Sequence, residues 1–387
     1  MIVTQQKMKA RHDLPESHRE YTDKYFLRTN QILKAERLNP EVSMKVFARG
    51  NGPVYGLEEA VDILKKYSDL EKTGEVWVTQ KAEYQTKDPL MVIKGPIQSF
   101  VELETMYLGV LSHGLSKAAG FLSPDPEQIQ SKLERLAEIY GDIPITYFGA
   151  RHYHWSLDKE IAAAALRGGA KQTSTDIGSS NIGREGTGTT PHVLTLVLAH
   201  YHGKENATLK TAELFDTHMP ESVPRITLVD TFNRELTDSL AVANYFGNRR
   251  NLFRIDTCGE NVGEGGTQFT EGDGRDPSYK IGAGVSIELA RNLRLNLIEN
   301  GFGDYTDIIL SSGFGNEEKA RAFVEANEKF RKETGYSLFV GVGIGEVSKA
   351  RFATADIFEI EGRKFAKTGR DAPIDVEIDY TKLRRVI

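Results

Sequence analysis

Cysteine is nearly absent from this chain of 387 residues, which contains only Cys258. A single thiol cannot form an intramolecular disulfide and cannot supply the several thiolates of a structural zinc site. A strong charge of either sign is also lacking, because 49 basic and 55 acidic side chains give a net charge of -6. Without a basic excess, the chain lacks the electrostatic character of a nucleic-acid-binding protein. We therefore expect any phosphate chemistry to be confined to a local pocket.

Long apolar segments are missing as well. The longest apolar runs, such as residues 193–199, are far shorter than the roughly 20 residues that span a bilayer. Residues 1–20 are polar and do not contain the apolar core of a signal peptide. We expect a cytoplasmic protein without a membrane anchor.

The amino-terminal third mixes helical and extended patterns. Apolar spacing predicts helices over 22–35, 57–66 and 100–119, and strands over 43–49 and 90–95. Further strand patterns lie at 357–360 and 374–378, and we expect them to return to this first lobe. The length of the chain favours two domains, or one large barrel with an appendage.

From about residue 143, short apolar runs end in polar or glycine-rich residues and alternate with helix-length segments. These runs lie at 144–149, 172–176, 193–198 or the segment just before it, 226–231, 252–257, 307–312 and 338–343. This alternation is typical of parallel βα units. The predicted fold class is α/β: an irregular, closed or nearly closed α/β barrel of parallel strands, plus an α+β lobe built from the N-terminal and C-terminal segments. The predicted domains are 1–118, 119–348 and 349–387.

In an α/β barrel the reactive groups lie at the carboxyl ends of the strands. The residues found there are Phe148, Arg151, Thr173, Ser174, His192, Asp230, Arg254, Asp256, Ser311, Ser312, Gly313, Gly341, Gly343 and Gly345. Among them are aromatic faces for a planar ring, cations for phosphates, and carboxylates for ribose hydroxyls or magnesium. Backbone amides at glycine-rich strand ends can bind phosphate without a charged side chain.

Structural roles are open for several of these residues. Phe148 could belong to the core with Arg151 in a surface ion pair. Arg254 and Asp256 lie on one face of a strand and could instead close the barrel floor as a buried pair. His152 and His154 could suggest a metal site, but the sequence supplies no third ligand.

Taken in order, the motifs resemble those of the nicotinate phosphoribosyltransferases, type II phosphoribosyltransferases that also include nicotinamide and quinolinate enzymes. The motifs are Thr22-Asp23-Lys24-Tyr25, Gly95-Pro96 before the Glu102 and Glu104 helix, Phe148-Gly-Ala-Arg151, Gly186-Thr-Gly-Thr-Thr-Pro-His192, the strand ends above, and Gly362-Arg363-Lys364. The resemblance implies an enzyme of NAD salvage that joins nicotinate to the ribose 5-phosphate of phosphoribosyl pyrophosphate. Magnesium is the implied cofactor and ATP the implied co-substrate.

The resemblance also implies roles for particular residues. Phe148 and Arg151 would hold the nicotinate ring, and Tyr25 would reach it from the other subunit of a homodimer with shared active sites. His192 would be transiently phosphorylated by ATP, Asp230 and Asp256 would act as catalytic carboxylates, and Asp256 would hold magnesium. The late basic residues Arg363, Lys364, Lys367 and Arg370 would lie near the phosphates of a neighbouring subunit, or form a solvated tail.

Two motifs depart from the family pattern. Residues 172–175 read Gln-Thr-Ser-Thr where many bacterial members have Gly-Thr-Ser-Asn, and residues 256–260 read Asp-Thr-Cys-Gly-Glu instead of Asp-Ser-Gly-Asp. These departures leave open the contacts around Cys258 and Glu260 and the use of ATP.

Four alternative functions remain open. A nicotinamide enzyme would place an acid near Ser174, and a quinolinate enzyme would need more cations in the site. A barrel aldolase or isomerase acting on a sugar phosphate would need a lysine at a strand end, where only Lys171 comes close. A non-catalytic paralogue is the fourth alternative.

Overall fold

A computed structural model describes residues 13–368 and 378–387. Within these residues the α-helices are α1 Lys24–Ala35, α2 Leu57–Tyr67, α3 Leu70–Thr73, α4 Ile97–Phe100, α5 Glu104–Ala118, α6 Pro126–Tyr140, α7 Asp158–Arg167, α8 Asp176–Ser179, α9 His192–His202, α10 Lys204–His218, α11 Glu235–Phe246, α12 Ile287–Glu299 and α13 Glu317–Thr334. The strands are β1 Glu41–Ala48, β2 Gly52–Pro53, β3 Glu75–Thr79, β4 Glu83–Tyr84, β5 Pro89–Pro96, β6 Ile145–Tyr147, β7 Gln172–Thr173, β8 Ile226–Leu228, β9 Asn251–Ile255, β10 Thr306–Leu310, β11 Gly341–Ile344, β12 Ala353–Ile360, β13 Arg363–Lys364 and β14 Leu383–Arg385. The strands form two six-stranded sheets and one two-stranded sheet, β2 with β4.

The first layer is a six-stranded antiparallel sheet in the order β13-β12-β1-β5-β3-β14. Strand β1 pairs with β5 on one side and with β12 on the other, so both ends of the chain contribute to one sheet. The last strand, β14, pairs with β3. This arrangement confirms the lobe predicted from the N-terminal and C-terminal segments. Residues 374–377 of the second predicted late strand lie outside the described residues.

The second layer is a parallel sheet in the order β7-β6-β11-β10-β9-β8, with its own hydrophobic core against α6, α7, α11, α12 and α13. The predicted α/β class is confirmed, but closure is not found in the described ranges, where the edge strands β7 and β8 do not pair with each other. The sheet is a curled half-barrel. At the start of β10, the buried guanidinium of Arg294 donates to Ser337 O at 3.0 Å, Thr306 Oγ1 at 3.2 Å and Gly303 O at 3.0 Å.

The strand predicted at 193–198 is wrong, because these residues belong to helix α9. Every side chain from Val193 to Ala199 is buried, so the run shows no polar face that would reveal a helical period. Its apolar side chains pack into the core of the antiparallel lobe, together with those of α10. The division into 1–118, 119–348 and 349–387 stays a prediction. Across the described ranges, no helix combines the length and the apolar character needed to cross a membrane.

Candidate active site

The candidate site lies where the carboxyl ends of β6, β8, β9, β10 and β11 meet segments from the antiparallel lobe. In this region two groups of side chains can be distinguished. The base-side cluster comprises Tyr25, Phe148 and Arg151. The ammonium-side cluster comprises His192, Asp230, Asp256 and Lys367.

In the base-side cluster, the rings of Tyr25 and Phe148 face each other with centroids 6.5 Å apart and planes inclined by 32°. Arg151 follows Phe148 in a single 3-10 turn, and its Nη1 donates to the Tyr25 hydroxyl at 3.3 Å. Tyr25 comes from α1 of the same chain. This chain therefore places its own Tyr25 beside Phe148 and Arg151, contrary to the expectation that Tyr25 reaches the site from another subunit.

A buried network holds the base-side cluster in place. The Tyr25 hydroxyl donates to Asp23 Oδ2 at 2.9 Å, and Thr105 Oγ1 donates to the same oxygen at 3.0 Å. Tyr25, Asp23, Glu104 and Asp256 together raise the pKa of Arg151 against the opposing effect of burial. Burial raises the pKa of Glu104 to about 8 although Arg151 acts in the other direction. The guanidinium is thus charged among several acids, one of which can be neutral near physiological pH.

The ammonium-side cluster is held by direct contacts. Lys367 Nζ donates to Asp230 Oδ2 and lies 2.8 Å from His192 Nε2. His192 Nε2 also lies 3.6 Å from Asp230 Oδ2 and 3.9 Å from Asp256 Oδ2. His192 begins α9 directly after Pro191, while the two aspartates follow β8 and β9. The fold therefore brings His192, Asp230 and Asp256 together as the sequence predicted.

The two clusters share one site. Asp256 lies beside His192 in the ammonium-side cluster and also contributes to the raised pKa of Arg151 in the base-side cluster. Phe148, Arg151, His192, Asp230 and Asp256, all predicted at strand ends, therefore meet at one rim. Their functional roles stay predictions.

Arg254 contributes to this rim, but not through the buried pair with Asp256 that the sequence left open. Its Nη2 donates to the backbone oxygen of Thr190 at 3.3 Å, next to His192. Among the ion pairs of residues 13–368 and 378–387, none joins Arg254 to Asp256. Arg254 thus braces the loop that precedes α9.

Thr173 and Ser174 lie at the end of β7 and are both buried. Thr173 Oγ1 lies 2.8 Å from Ser179 Oγ, so it stabilises the turn that follows the strand. Ser174 accepts the Lys24 backbone amide through its carbonyl oxygen at 2.8 Å, and within the described part of the chain its hydroxyl has no hydrogen-bond partner. The strand end carrying Ser174 is therefore tied to the segment carrying Tyr25.

The predicted phosphate residues fall into two groups. Ser311, Ser312 and Gly313 form a turn after β10, where Ser312 and Gly313 both have positive φ angles, of 74° and 82°. This turn adjoins Lys319, whose Nζ donates to Ser312 O at 3.0 Å. Burial lowers the pKa of Lys319 to about 8, despite the opposing effect of Asp256. Lys319 thus lies next to the predicted phosphate turn.

Gly341, Gly343 and Gly345 differ from this turn. Gly341 and Gly343 lie inside β11, which pairs with β10 on one side and β6 on the other. A Cβ atom at Gly343 would lie 3.2 Å from the Phe148 ring, and one at Gly345 would lie 2.8 Å from His152 Cε1. The absence of a side chain at Gly343 allows the Phe148 ring to pack against β11, and phosphate binding by the three glycines stays a prediction.

Sequence reasoning did not identify Lys367, Lys319, Asp23 or Glu104 as members of the site. Lys367 belonged to a basic cluster expected at a neighbouring subunit or in a solvated tail. Instead it is 6% exposed and contacts His192 of its own chain. Arg363 and Lys364 are exposed in β13, and Arg370 lies outside the described residues. Distance along the chain conceals the contact between positions 192 and 367, and no local motif could have shown it.

Four other residues that the sequence singled out lie in structural surroundings. Glu260 accepts from Arg49 Nη2 at 2.7 Å and so links the two lobes. His152 Nδ1 lies 2.9 Å from Gly345 O, and His154 Nε2 lies 2.8 Å from Glu59 Oε1, so the two histidines face different partners. Cys258 is buried.

The carboxylates of the site fit a magnesium ion that retains several waters. Asp230 is fully buried, and its Oδ1 has no hydrogen-bond partner in the described ranges. Asp256 has 28% of its side chain exposed. Two carboxylates together with substrate phosphates are a typical magnesium environment. Over residues 13–368 and 378–387, no group of three or more His, Cys, Asp or Glu side chains could enclose a metal.

Known proteins resemble this chain in its N-terminal domain and in its fold. Residues 23–114 match the N-terminal domain of quinolinate phosphoribosyl transferase. A nicotinate phosphoribosyltransferase structure from Vibrio cholerae is 14% identical, with 90% of this chain and 87% of that chain covered and a TM-score of 0.62. One from Porphyromonas gingivalis is 14% identical, covers 90% and 92%, and has a TM-score of 0.60.

A nicotinate-nucleotide pyrophosphorylase structure from Pyrococcus furiosus is 25% identical over 94% of this chain and 81% of that chain, with a TM-score of 0.45. The other structures and the matched domain define the class: this chain has the fold of the type II phosphoribosyltransferases. The resemblance that the motifs indicated is thereby confirmed at the level of the fold and of the N-terminal domain.

Proposed function

We propose that this protein is a nicotinate phosphoribosyltransferase that makes nicotinate mononucleotide and pyrophosphate, coupled to ATP hydrolysis. One observation carries the proposal: two groups of side chains meet at one end of the parallel sheet. The first is an aromatic pair with an arginine, and the second is a histidine flanked by two aspartates. The fold shared with nicotinate phosphoribosyltransferases supports it.

The base-side cluster suits a planar aromatic acid. Stacked rings contact each other at about 3.5–4 Å, so two rings about 7 Å apart can hold a third between them. The centroids of Tyr25 and Phe148 are 6.5 Å apart, so a small movement of either ring would admit a pyridine. Arg151 beside them offers a fork of donors to a carboxylate.

The opposite cluster suits a reaction at C1 of a ribose that carries pyrophosphate. The pyridine nitrogen forms a bond to C1 while the bond from C1 to the pyrophosphate oxygen breaks, and the sugar is cationic in the transition state. Asp230 and Asp256 would stabilise that charge or bind ribose hydroxyls. Asp256 and Oδ1 of Asp230 are the groups that would hold magnesium, which when bound neutralises pyrophosphate charge.

His192 is the proposed phosphoryl acceptor for ATP. If Lys367 donates to Nε2, then Nδ1 carries the proton and donates to Thr231 Oγ1, which lies 3.2 Å away. The lone pair is then on Nε2, which forms the bond to the γ-phosphorus as ADP leaves. Hydrolysis of this phosphohistidine would drive the transfer.

Substrate choice rests on Ser174 and Arg151. Ser174 has a neutral hydroxyl, so no carboxylate at this position repels an acid substrate or accepts from an amide. Quinolinate has two carboxylates, whereas Arg151 is the one cation described in the base-side cluster. Both features favour nicotinate.

The test incubates the protein with phosphoribosyl pyrophosphate, magnesium and labelled nicotinate, nicotinamide or quinolinate, each with and without ATP. We expect the mononucleotide from nicotinate, with more product when ATP is present. Product from quinolinate or nicotinamide alone would overturn the substrate assignment, and no product from any base would overturn the enzyme assignment.

ATP coupling is tested by His192→Ala, with His202→Ala as the matched control at the exposed end of the same helix. We expect the ATP stimulation to vanish in the first variant and to persist in the second. Equal stimulation in both variants would exclude His192 as the phosphoryl acceptor.

A further inference from the structure

Lys367 has a position that the proposed reaction does not yet explain. Its ammonium is enclosed, with the residue 6% exposed, and it contacts Asp230 Oδ2, His192 Nε2 at 2.8 Å and the backbone oxygen of Asp256 at 3.5 Å. A buried ammonium requires such partners, because desolvation of an unpaired charge is costly. One of these partners, however, is the nitrogen assigned above as the phosphoryl acceptor.

A neutral imidazole has one nitrogen with a free lone pair. A hydrogen bond from Lys367 to Nε2 occupies that lone pair, so Nε2 cannot form a bond to phosphorus while the contact persists. The same bond favours the tautomer in which Nδ1 carries the proton and faces Thr231. Lys367 therefore selects the reactive nitrogen of His192 and covers it.

The segment around Lys367 is anchored independently of the histidine. The Thr368 amide donates to Thr231 O at 3.0 Å, the same residue whose hydroxyl faces His192 Nδ1. Phe365 packs edge-on against Phe232, with centroids 6.3 Å apart. The segment thus stays in place if the flexible lysine side chain moves.

We propose that Lys367 is a positioning residue that makes Nε2 the phosphoryl acceptor of His192 and keeps it covered until a substrate phosphate draws the ammonium away. This inference rests on the proposed function. In the transfer step the bond between Nε2 and phosphorus forms, the bond from phosphorus to the ADP oxygen breaks, and the hydrogen bond of Lys367 passes from Nε2 to a phosphoryl oxygen.

The cover can be tested without enzymatic activity. Diethyl pyrocarbonate acylates a free imidazole lone pair, and peptide mass spectrometry gives the rate at His192 alone. At pH 8 without substrates, we expect about tenfold faster acylation in Lys367→Met, which removes one hydrogen bond to the lone pair and leaves an unbranched side chain that is one atom shorter. Lys367→Arg should restore slow acylation, since it retains a donor.

Two further variants serve as controls for this test. Lys382→Met makes the same substitution at an exposed site in the antiparallel lobe, and the rate at His192 should not change. Asp230→Asn with Lys367→Met removes both charges of the buried pair, so it provides a folded sample if the single variant unfolds. Melting curves confirm that each protein is folded.

The outcomes separate the two proposals. Unchanged acylation of His192 in both Lys367→Met and the double variant would overturn the cover, whether or not the enzyme is active. Faster acylation in a protein that never forms an acid-labile phosphate on His192 from γ-labelled ATP would support the cover and overturn ATP coupling instead.

Discussion

The two halves of the candidate site hold a cation in different ways. In the base-side cluster, Arg151 donates a hydrogen bond to the Tyr25 hydroxyl. The nearby acids, Asp23, Glu104 and Asp256, act on the guanidinium electrostatically. In the ammonium-side cluster, Lys367 contacts the carboxylate of Asp230 directly. The first arrangement leaves the guanidinium available to a ligand, whereas in the second the ammonium is paired within the protein when no substrate is bound. We therefore expect mutations in the ammonium-side cluster to affect stability, and those in the base-side cluster to affect substrate affinity.

The largest effect is expected from Asp230→Asn. It leaves Lys367 buried without its counter-ion, which should lower the free energy of unfolding by about 3–5 kcal/mol. Urea denaturation measures this change. The control is Asp273→Asn, whose partner Arg275 is 58% exposed, where the loss should be under about 1 kcal/mol. Similar losses in both variants would contradict the importance of direct pairing.

Next in size is Arg151→Met, which removes the charge proposed to bind the nicotinate carboxylate. The loss of a charged partner of this kind should raise KM for nicotinate about 100-fold, with a smaller change in kcat. Initial rates at varied nicotinate measure the split. Arg135→Met, at an exposed pair with Glu317, is the control and should leave KM unchanged. A fall in kcat alone would place Arg151 outside the carboxylate site.

A moderate effect is expected from pH. Burial raises the pKa of Glu104 to about 8 and that of Asp158 and Glu235 to about 7. Between pH 5 and 8 the folded state therefore binds more protons than the unfolded state, so stability should fall as pH rises. Glu104→Gln should reduce this fall by about 1–3 kcal/mol at pH 8, as melting at several pH values would show. A slope identical to wild type would show that Glu104 ionises normally.

The smallest effect is expected at the surface contact between the lobes. Glu260→Gln breaks the partly exposed pair with Arg49 and should cost under about 1 kcal/mol. Added salt should reduce the difference from wild type, because exposed charges are screened. Thermal melting at low and high salt measures it. A larger, salt-independent loss would mean that this pair helps to hold the lobes together.

Much of the architecture was accessible from local patterns. Strands β6, β9 and β10 fall where short apolar runs end in polar residues, and their ends carry Phe148, Asp256 and Ser311 as predicted. The failure at 193–198 has a clear cause, since a helix buried on all sides and a buried strand have the same apolar composition. The length of α9 and its packing against α10 decide between them, and neither is visible in a six-residue window.

Three features of the site could not be predicted from local patterns. Tyr25 was expected from a second subunit, yet α1 of the same chain places it against Phe148. Lys367 follows a strand of the antiparallel sheet and reaches His192, which is 175 positions earlier. Lys319 lies in a helix with ordinary charged neighbours, and it is burial in the fold, with a smaller contribution from Arg275, that lowers its pKa.

By itself, the sequence determined the α/β class, the order of the strand ends and the residue types that they carry, because these follow from hydrophobic period and from local turn chemistry. Only the tertiary structure decided which distant side chains complete the site and which charges are paired. Those outcomes depend on burial and on contacts between segments far apart in the chain, and the energy of a charge depends on its surroundings more than on its neighbours in sequence.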